Sequence, residues 1–182
     1  MSEDNGNTTA QGLGSRGEAF KPHAESLPRD KGVYLAFLEL GSEVRHPRVR
    51  GVLARGVYVY VGSAGGRGGL RARLLRHATR DKKPYWHLDW LTVDPRVLFR
   101  GACWCRRTWG RGVEASLSSC IGSKFPGGGV RGFGATDDPW SPTHLHRVAG
   151  SWEEFVEKGL REALGCLEAV CEGEGGMGCW LR

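Results

Sequence analysis

Residues 56–77 read GVYVYVGSAGGRGGLRARLLRH. Tyr58 and Tyr60 sit on an alternating stretch, a glycine-rich turn follows, and Arg67, Arg71, Arg73, Arg76 and His77 crowd the segment after it. A guanidinium offers a planar fork of N–H donors that matches phosphate. A strand running through a glycine turn into a helix N-terminus makes an anion site. The chemistry on offer is that of a phosphate. A nucleotide-cofactor loop is the weaker version of it. The GKS or GKT of a P-loop is missing, and GRGGLR lacks the third glycine and the βαβ setting of a dinucleotide fingerprint. Read alone, the turn is a flexible connection.

Such residues need elements to hold them. The apolar run KGVYLAFLEL (Lys31–Leu40) has strand length, and Val57 to Val61 alternates valines on one face with Tyr58 and Tyr60 on the other. Joined without a helix, the two read as an antiparallel hairpin. A helix is expected from about Gly69 to Thr79, burying Leu70, Leu74 and Ala78, with Arg73 and His77 four apart on one edge. PYWHLDWLTV reads as a strand with Tyr85, His87 and Asp89 on one face, and RVLFRGACWC as another. A short helix is expected over Val113–Ile121, and a longer one from Ser151 to about Gly173, opened by a capping box of Ser151 and Glu154. The fold class is mixed α/β, a small, largely antiparallel sheet flanked by helices. Residues 1–24 read as a disordered tail, 25–150 as the functional domain, and 151–182 as an acidic helix with a glycine-rich tail.

The net charge is +6, and its placement is uneven. Arg45 to Lys83 holds eleven basic residues against the single acid Asp81, whereas Ser151 to Glu174 holds seven Glu and two basic residues. A basic front half draws in a polyanion, so nucleic acid is the expected partner. No apolar run approaches the ~20 residues that span a bilayer, and no secretory leader is evident at the N-terminus, so the expected location is cytoplasmic and no membrane is involved. The six cysteines form no CxxC zinc pairs and are expected as free, buried thiols.

Taken in order, GVY (Gly32–Tyr34), YVG (Tyr60–Gly62), LRARLLRH, KKPYWHLDWL and GFGATDD followed by SPTHL resemble the GIY-YIG nuclease superfamily, in its stand-alone Uri-type branch. The resemblance covers about Lys31 to Val148. It implies a metal-dependent endonuclease acting on nucleic acid, with DNA expected ahead of RNA, in repair or in processing non-standard DNA. It places Tyr34 as the group that takes a proton from water, Tyr60 as phosphate positioner or partner in that role, Arg73 as stabiliser of the phosphoryl oxygens and His77 beside it. It also calls for one acid on a later helix to hold Mg²⁺ or Mn²⁺. Glu114, the only acid between Asp94 and Asp137, is the candidate. Arg67, Arg71, Arg76, Lys82, Lys83 and His87 are expected to contact nucleic acid. From a reference near 10, a tyrosinate at neutral pH costs ~4 kcal/mol at ~1.36 per unit. Neighbouring arginines and a metal lower that cost, so an alkaline optimum is expected.

Two departures accompany the resemblance. Tyr34 and Tyr60 are twenty-six positions apart, a long link, and the cysteines that this branch carries after its FGxSD segment are absent. The alternative function is a nucleic-acid-binding module of the same fold without catalysis, which predicts binding without cleavage. A nucleotide-cofactor enzyme ranks below both. Nothing in the residues sets the oligomeric state.

Overall fold

The computed structural model describes residues 26–106, 112–134, 140–171 and 175–182. The expected tail over residues 1–24, together with Asp137 and Gly173, falls outside the described residues. β1 (Gly32–Leu40) is buried almost throughout, as a near-continuous apolar run requires of a central strand. The long link after it folds into its own two-stranded sheet, β2 (Val44–Arg45) with β3 (Val52–Leu53). β4 (Gly56–Ser63) then returns antiparallel to β1, which is the expected hairpin. There follow α1 (Gly69–Ala78), α2 (His87–Thr92), β5 (Val97–Arg106), α3 (Val113–Lys124) and β6 (Leu145–Ala149). The chain ends with α4 (Trp152–Glu154), a π-helical stretch Phe155–Gly159, α5 (Leu160–Cys171) and β7 (Met177–Leu181). Five strands make one antiparallel sheet in the order β6-β4-β1-β5-β7.

Strand alternation divides the core in two. Tyr34, Ala36, Leu38, Tyr58 and Tyr60 pack with Leu70 and Leu74 of α1, Leu88 and Leu91 of α2, and Phe133. On the other face Val33, Leu35, Phe37, Val57, Val59 and Val61 pack with Leu117 and Ile121 of α3, Phe155, and Ala163 and Leu167 of α5.

Three expectations are corrected. Residues 87–92 form a helix, not a strand. Over so short a stretch the periods of 2 and 3.6 are hard to separate. The decision falls to Leu88 and Leu91, three apart and both buried, and to Asp89, whose carboxylate accepts the Trp86 N–H at the helix start. Secondly, the glycine-rich C-terminal tail contains β7, which pairs with β5 and extends the sheet. Lastly, the cysteines are not free thiols. They pair as Cys103–Cys179, Cys105–Cys171 and Cys120–Cys166. The register that lays β7 on β5 sets Cys179 opposite Cys103, a proximity that only the tertiary fold creates.

Candidate active site

Glycine explains how the two tyrosine strands meet. The β1–β4 register sets Tyr34 opposite Gly62 and Ala36 opposite Tyr60. A Cβ at Gly62 would collide with the Tyr34 hydroxyl and lie 2.9 Å from the Tyr60 ring. The glycine of YVG is thus the space into which the Tyr34 ring folds, and the two tyrosine rings lie 6.3 Å apart.

The glycine turn positions α1 but binds no anion at its start. Gly68 and Gly69 have φ of +85° and +56°, the left-handed region that glycine enters at little cost. A side chain at Gly69 would strike the carbonyls of Arg29 and Asp30. Those close approaches use up the helix N-terminus: Leu70 N–H donates to Asp30 at 2.9 Å, and Arg71 N–H to Pro28 at 2.8 Å. The amides that would cradle a phosphate are occupied by main chain, which removes the structural basis of the nucleotide-loop reading.

α1 instead delivers His77 under Tyr34. The Tyr34 hydroxyl and His77 Nε2 are 2.9 Å apart, and His77 Nδ1 is 3.3 Å from Asp89 Oδ1. Burial pushes the Asp89 carboxyl up, yet hydrogen bonds from His77 and from the Trp86 and Tyr85 amides outweigh it and hold the group well below the usual carboxylate range. Burial lowers His77 to about 4 against the opposing pull of Asp89. An ionised Asp89 and a neutral His77 fix the tautomer: Nδ1 carries the proton toward Asp89, leaving Nε2 to accept from the tyrosine hydroxyl. The result is a hydroxyl–imidazole–carboxylate chain, the generalised form of an activated nucleophile or base.

Asp89 collects more charge than this chain uses. Arg76 donates to it at 2.9 Å, and Lys82 Nζ lies 3.4 Å away. The Lys82 side chain is 6% exposed and also donates to Thr92 at 2.7 Å. Of the expected nucleic-acid contacts, Lys82 thus turns its ammonium group inward, and Arg76, its side chain 36% exposed, also donates to the Lys83 carbonyl. Arg67 and Lys83 are exposed, while Arg71 is half-buried. His87 does not share a face with Asp89 in a relay. Its ring stacks on His46 at 6.1 Å and lies against Phe133.

The remaining candidates act electrostatically on the same hydroxyl. Burial is the main cause that raises Tyr34 well above its ordinary value, with Tyr60, Glu114 and Asp89 adding to it and Arg73 opposing. The expected lowering by an arginine is present but outweighed, since a ring 1% exposed loses more from desolvation than Arg73 returns. Glu114, in the first turn of α3, is 26% exposed, with Oε1 3.1 Å from His144 Nδ1. Among the described residues no group of three or more His, Cys, Asp or Glu forms a ready-made metal cage. A single accessible carboxylate does fit an ion such as Mg²⁺, which keeps waters and takes substrate phosphate as ligands.

Sequence reasoning missed Asp89 as the partner of His77, and His144 as the partner of Glu114. A signal for the first existed: an acid between Leu88 and Leu91 in an apolar segment is buried, and a buried acid is paired. A family model described as "Domain of unknown function DUF123" matches residues 34–164, a span that holds every one of these side chains. No curated protein and no solved structure matches the chain.

Proposed function

The chain belongs to the family described as domain of unknown function DUF123, grouped with the GIY-YIG-like endonucleases, and from that premise we propose that it is a metal-dependent endonuclease hydrolysing phosphodiester bonds in DNA. The observation that carries the reading is the buried chain Tyr34–His77–Asp89, with Arg73 and Glu114 acting electrostatically on the same tyrosine. Within the family the proposal is the Uri-type GIY-YIG branch.

The structure's pKa directions favour a relay over a free tyrosinate. Tyr34 passes its hydroxyl proton to His77 Nε2 as it takes one from water, and Asp89 holds the resulting imidazolium at Nδ1. The water oxygen forms its bond to phosphorus as the P–O bond to the leaving sugar oxygen breaks. Arg73 donates to the non-bridging oxygens, where negative charge accumulates, and Tyr60 orients the phosphate. Glu114 would hold the divalent ion, which supplies Lewis-acid stabilisation of the leaving oxygen when bound. Because His77 is neutral down to about 4, the rate is expected to stay level between pH 6 and 9 and fall below about 5. A tenfold rise per pH unit up to pH 9 would identify a free tyrosinate instead and overturn the relay.

The near-complete burial of Tyr34 favours a second reading, a recognition module of this fold in which the hydroxyl never meets water. Cleavage separates the two. Labelled single-stranded, duplex, flap and branched DNA are incubated with Mg²⁺, Mn²⁺ or EDTA and wild type, Tyr34→Phe, Arg73→Ala or Glu114→Ala. Metal-dependent cutting by wild type that all three variants lose, with binding retained, supports the nuclease. Binding without cutting under every condition supports the recognition module.

A further inference from the structure

Resting on the nuclease reading, we propose that Tyr85 and Trp86 form a base-stacking platform beside the catalytic arginine, so that the DNA engaged there is unpaired. Both are exposed large hydrophobic residues, at 67% and 41%. One exposed aromatic is unremarkable on any protein surface. Here two are adjacent, with rings at 86° and centroids 4.9 Å apart.

Their placement is fixed from below. The backbone N–H groups of Tyr85 and Trp86 each donate to Asp89 Oδ2 at 3.1 Å. The same carboxylate that holds His77 therefore also sets the height and angle of the aromatic step. Asp89 joins platform and relay through one buried charge. Arg73 completes the link, its guanidinium lying 4.0 Å over the Trp86 ring, a cation–π contact that orients an otherwise flexible cation. Trp86 thus steadies the arginine that faces the phosphate, while Tyr85 stands out beyond it into solvent.

The surroundings match a strand of DNA. Lys83 is exposed two residues before Tyr85, and Arg67 lies exposed just ahead of α1. Cations that track a phosphate backbone, with aromatic faces for the bases, are the working parts of single-strand recognition. A duplex hides its base faces by stacking them on one another, so an aromatic ring can stack only on a base that is splayed out, frayed or already single-stranded. The platform therefore assigns preference to a strand with at least one unpaired base next to the cut phosphate.

The test is equilibrium binding of the full chain to a fluorescein-labelled 12-nucleotide single strand and to the same sequence as a duplex, in EDTA so that nothing is cut. Tyr85→Ala is expected to weaken single-strand binding about tenfold, leave duplex binding and the thermal midpoint unchanged, and keep the salt dependence. Tyr85→Phe restores binding, and Lys83→Ala lowers the salt slope by about one. An abasic nucleotide at the stacking position costs wild type the same factor and costs Tyr85→Ala nothing further. Single-strand binding indifferent to Tyr85→Ala, equal weakening for duplex, or no single-strand binding by wild type would overturn the platform. Because the assay reads no cleavage, the two readings fail separately. Tyr85-dependent binding without metal-dependent cutting sinks the nuclease alone, and cutting with Tyr85-independent binding sinks the platform alone.

Discussion

On one face of the sheet β1 and β4 contribute Tyr34, Tyr58 and Tyr60; on the other, the residues between them contribute Val33, Leu35, Val57, Val59 and Val61. The first face carries an ion network in which the buried Asp89 meets Lys82, neutral His77 and the partly exposed Arg76. The second is almost wholly apolar and receives all three disulfides, each tying residues 103–120 to residues 166–179. Buried charge contributes little net stability, because desolvation offsets much of the Coulombic gain. Apolar burial and crosslinks do contribute it. The comparison teaches a division of labour: one face keeps an energetically awkward polar site in place, and the other holds the fold that makes this tolerable.

The sharpest break in that comparison comes from removing the charge at the centre of the polar face. Asp89→Asn strands Lys82 and Arg76 and takes away the acceptor that orients His77. A loss of about 3–5 kcal/mol is expected from breaking a buried pair on one side only, with cleavage down about 10²- to 10⁴-fold under conditions where the variant is folded. Leu117→Ala, on the apolar face, is expected to cost about 2–5 kcal/mol while leaving the rate per folded molecule and its pH profile unchanged. Urea unfolding and single-turnover cleavage measure both. Equal activity loss per folded molecule in the two variants would mean that the faces are not separable.

Acid tests each face through one histidine. His77 belongs to the site; His146 stands opposite Val59 on β4 and lies 2.9 Å from Ser118 Oγ on α3, on the apolar side. Both are lowered to about 4, chiefly by burial. A histidine depressed in the folded state contributes stability that is complete above its unfolded value near 6.5 and is lost as pH falls toward 4, because the unfolded chain takes the proton first. Each accounts for roughly 3 kcal/mol over that window. Thermal midpoints from pH 7 to 4 should fall steeply for wild type and less so for His146→Gln, whose cleavage at pH 7 is unchanged. An unaltered pH slope in His146→Gln would remove that histidine from the account.

The disulfides sharpen the contrast with a smaller effect. Replacing Cys120 and Cys166 together by Ala is expected to cost about 2–4 kcal/mol, read by urea unfolding without reductant, and to leave cleavage at 25 °C as it was. A fall in cleavage without a fall in stability would show that α5 serves the site and not only the fold.

How much of this was legible in the sequence follows from the range of each interaction. The hairpin, α1 and the long β5 declared themselves because strand alternation and helix periodicity are local. Tyr34, Tyr60, Arg73 and His77 were named from short motifs and Glu114 as the one acid in a long interval; His77 bonds the Tyr34 hydroxyl, and the other three act on it electrostatically. The 84–93 segment misled because the six residues that form α2 cannot separate two periods, and that error hid the Asp89–His77 contact, which spans twelve positions. Lys82 read as a surface cation since nothing local shows a lysine turning inward. The cysteine pairs, 46 to 76 positions apart, depend on α5 and β7 docking, which no local pattern announces.

The smallest predicted effect compares two tyrosines on one face. Tyr58 and Tyr60 point the same way along β4, two residues apart, yet their hydroxyls have different surroundings. That of Tyr58 donates to the Ala54 carbonyl at 2.8 Å and braces the link that folds as β2 and β3. Tyr60 packs its ring 6.4 Å from His77 and 5.9 Å from Phe133. Tyr58→Phe is therefore expected to cost about 1 kcal/mol, the ordinary worth of one such hydrogen bond, with no change in cleavage. Tyr60→Phe should reduce cleavage. Urea midpoints and cleavage rates on the two variants decide it: if Tyr58→Phe is the one that loses activity, the phosphate lies nearer β3 than His77, and the polar face has been read one residue pair out of place.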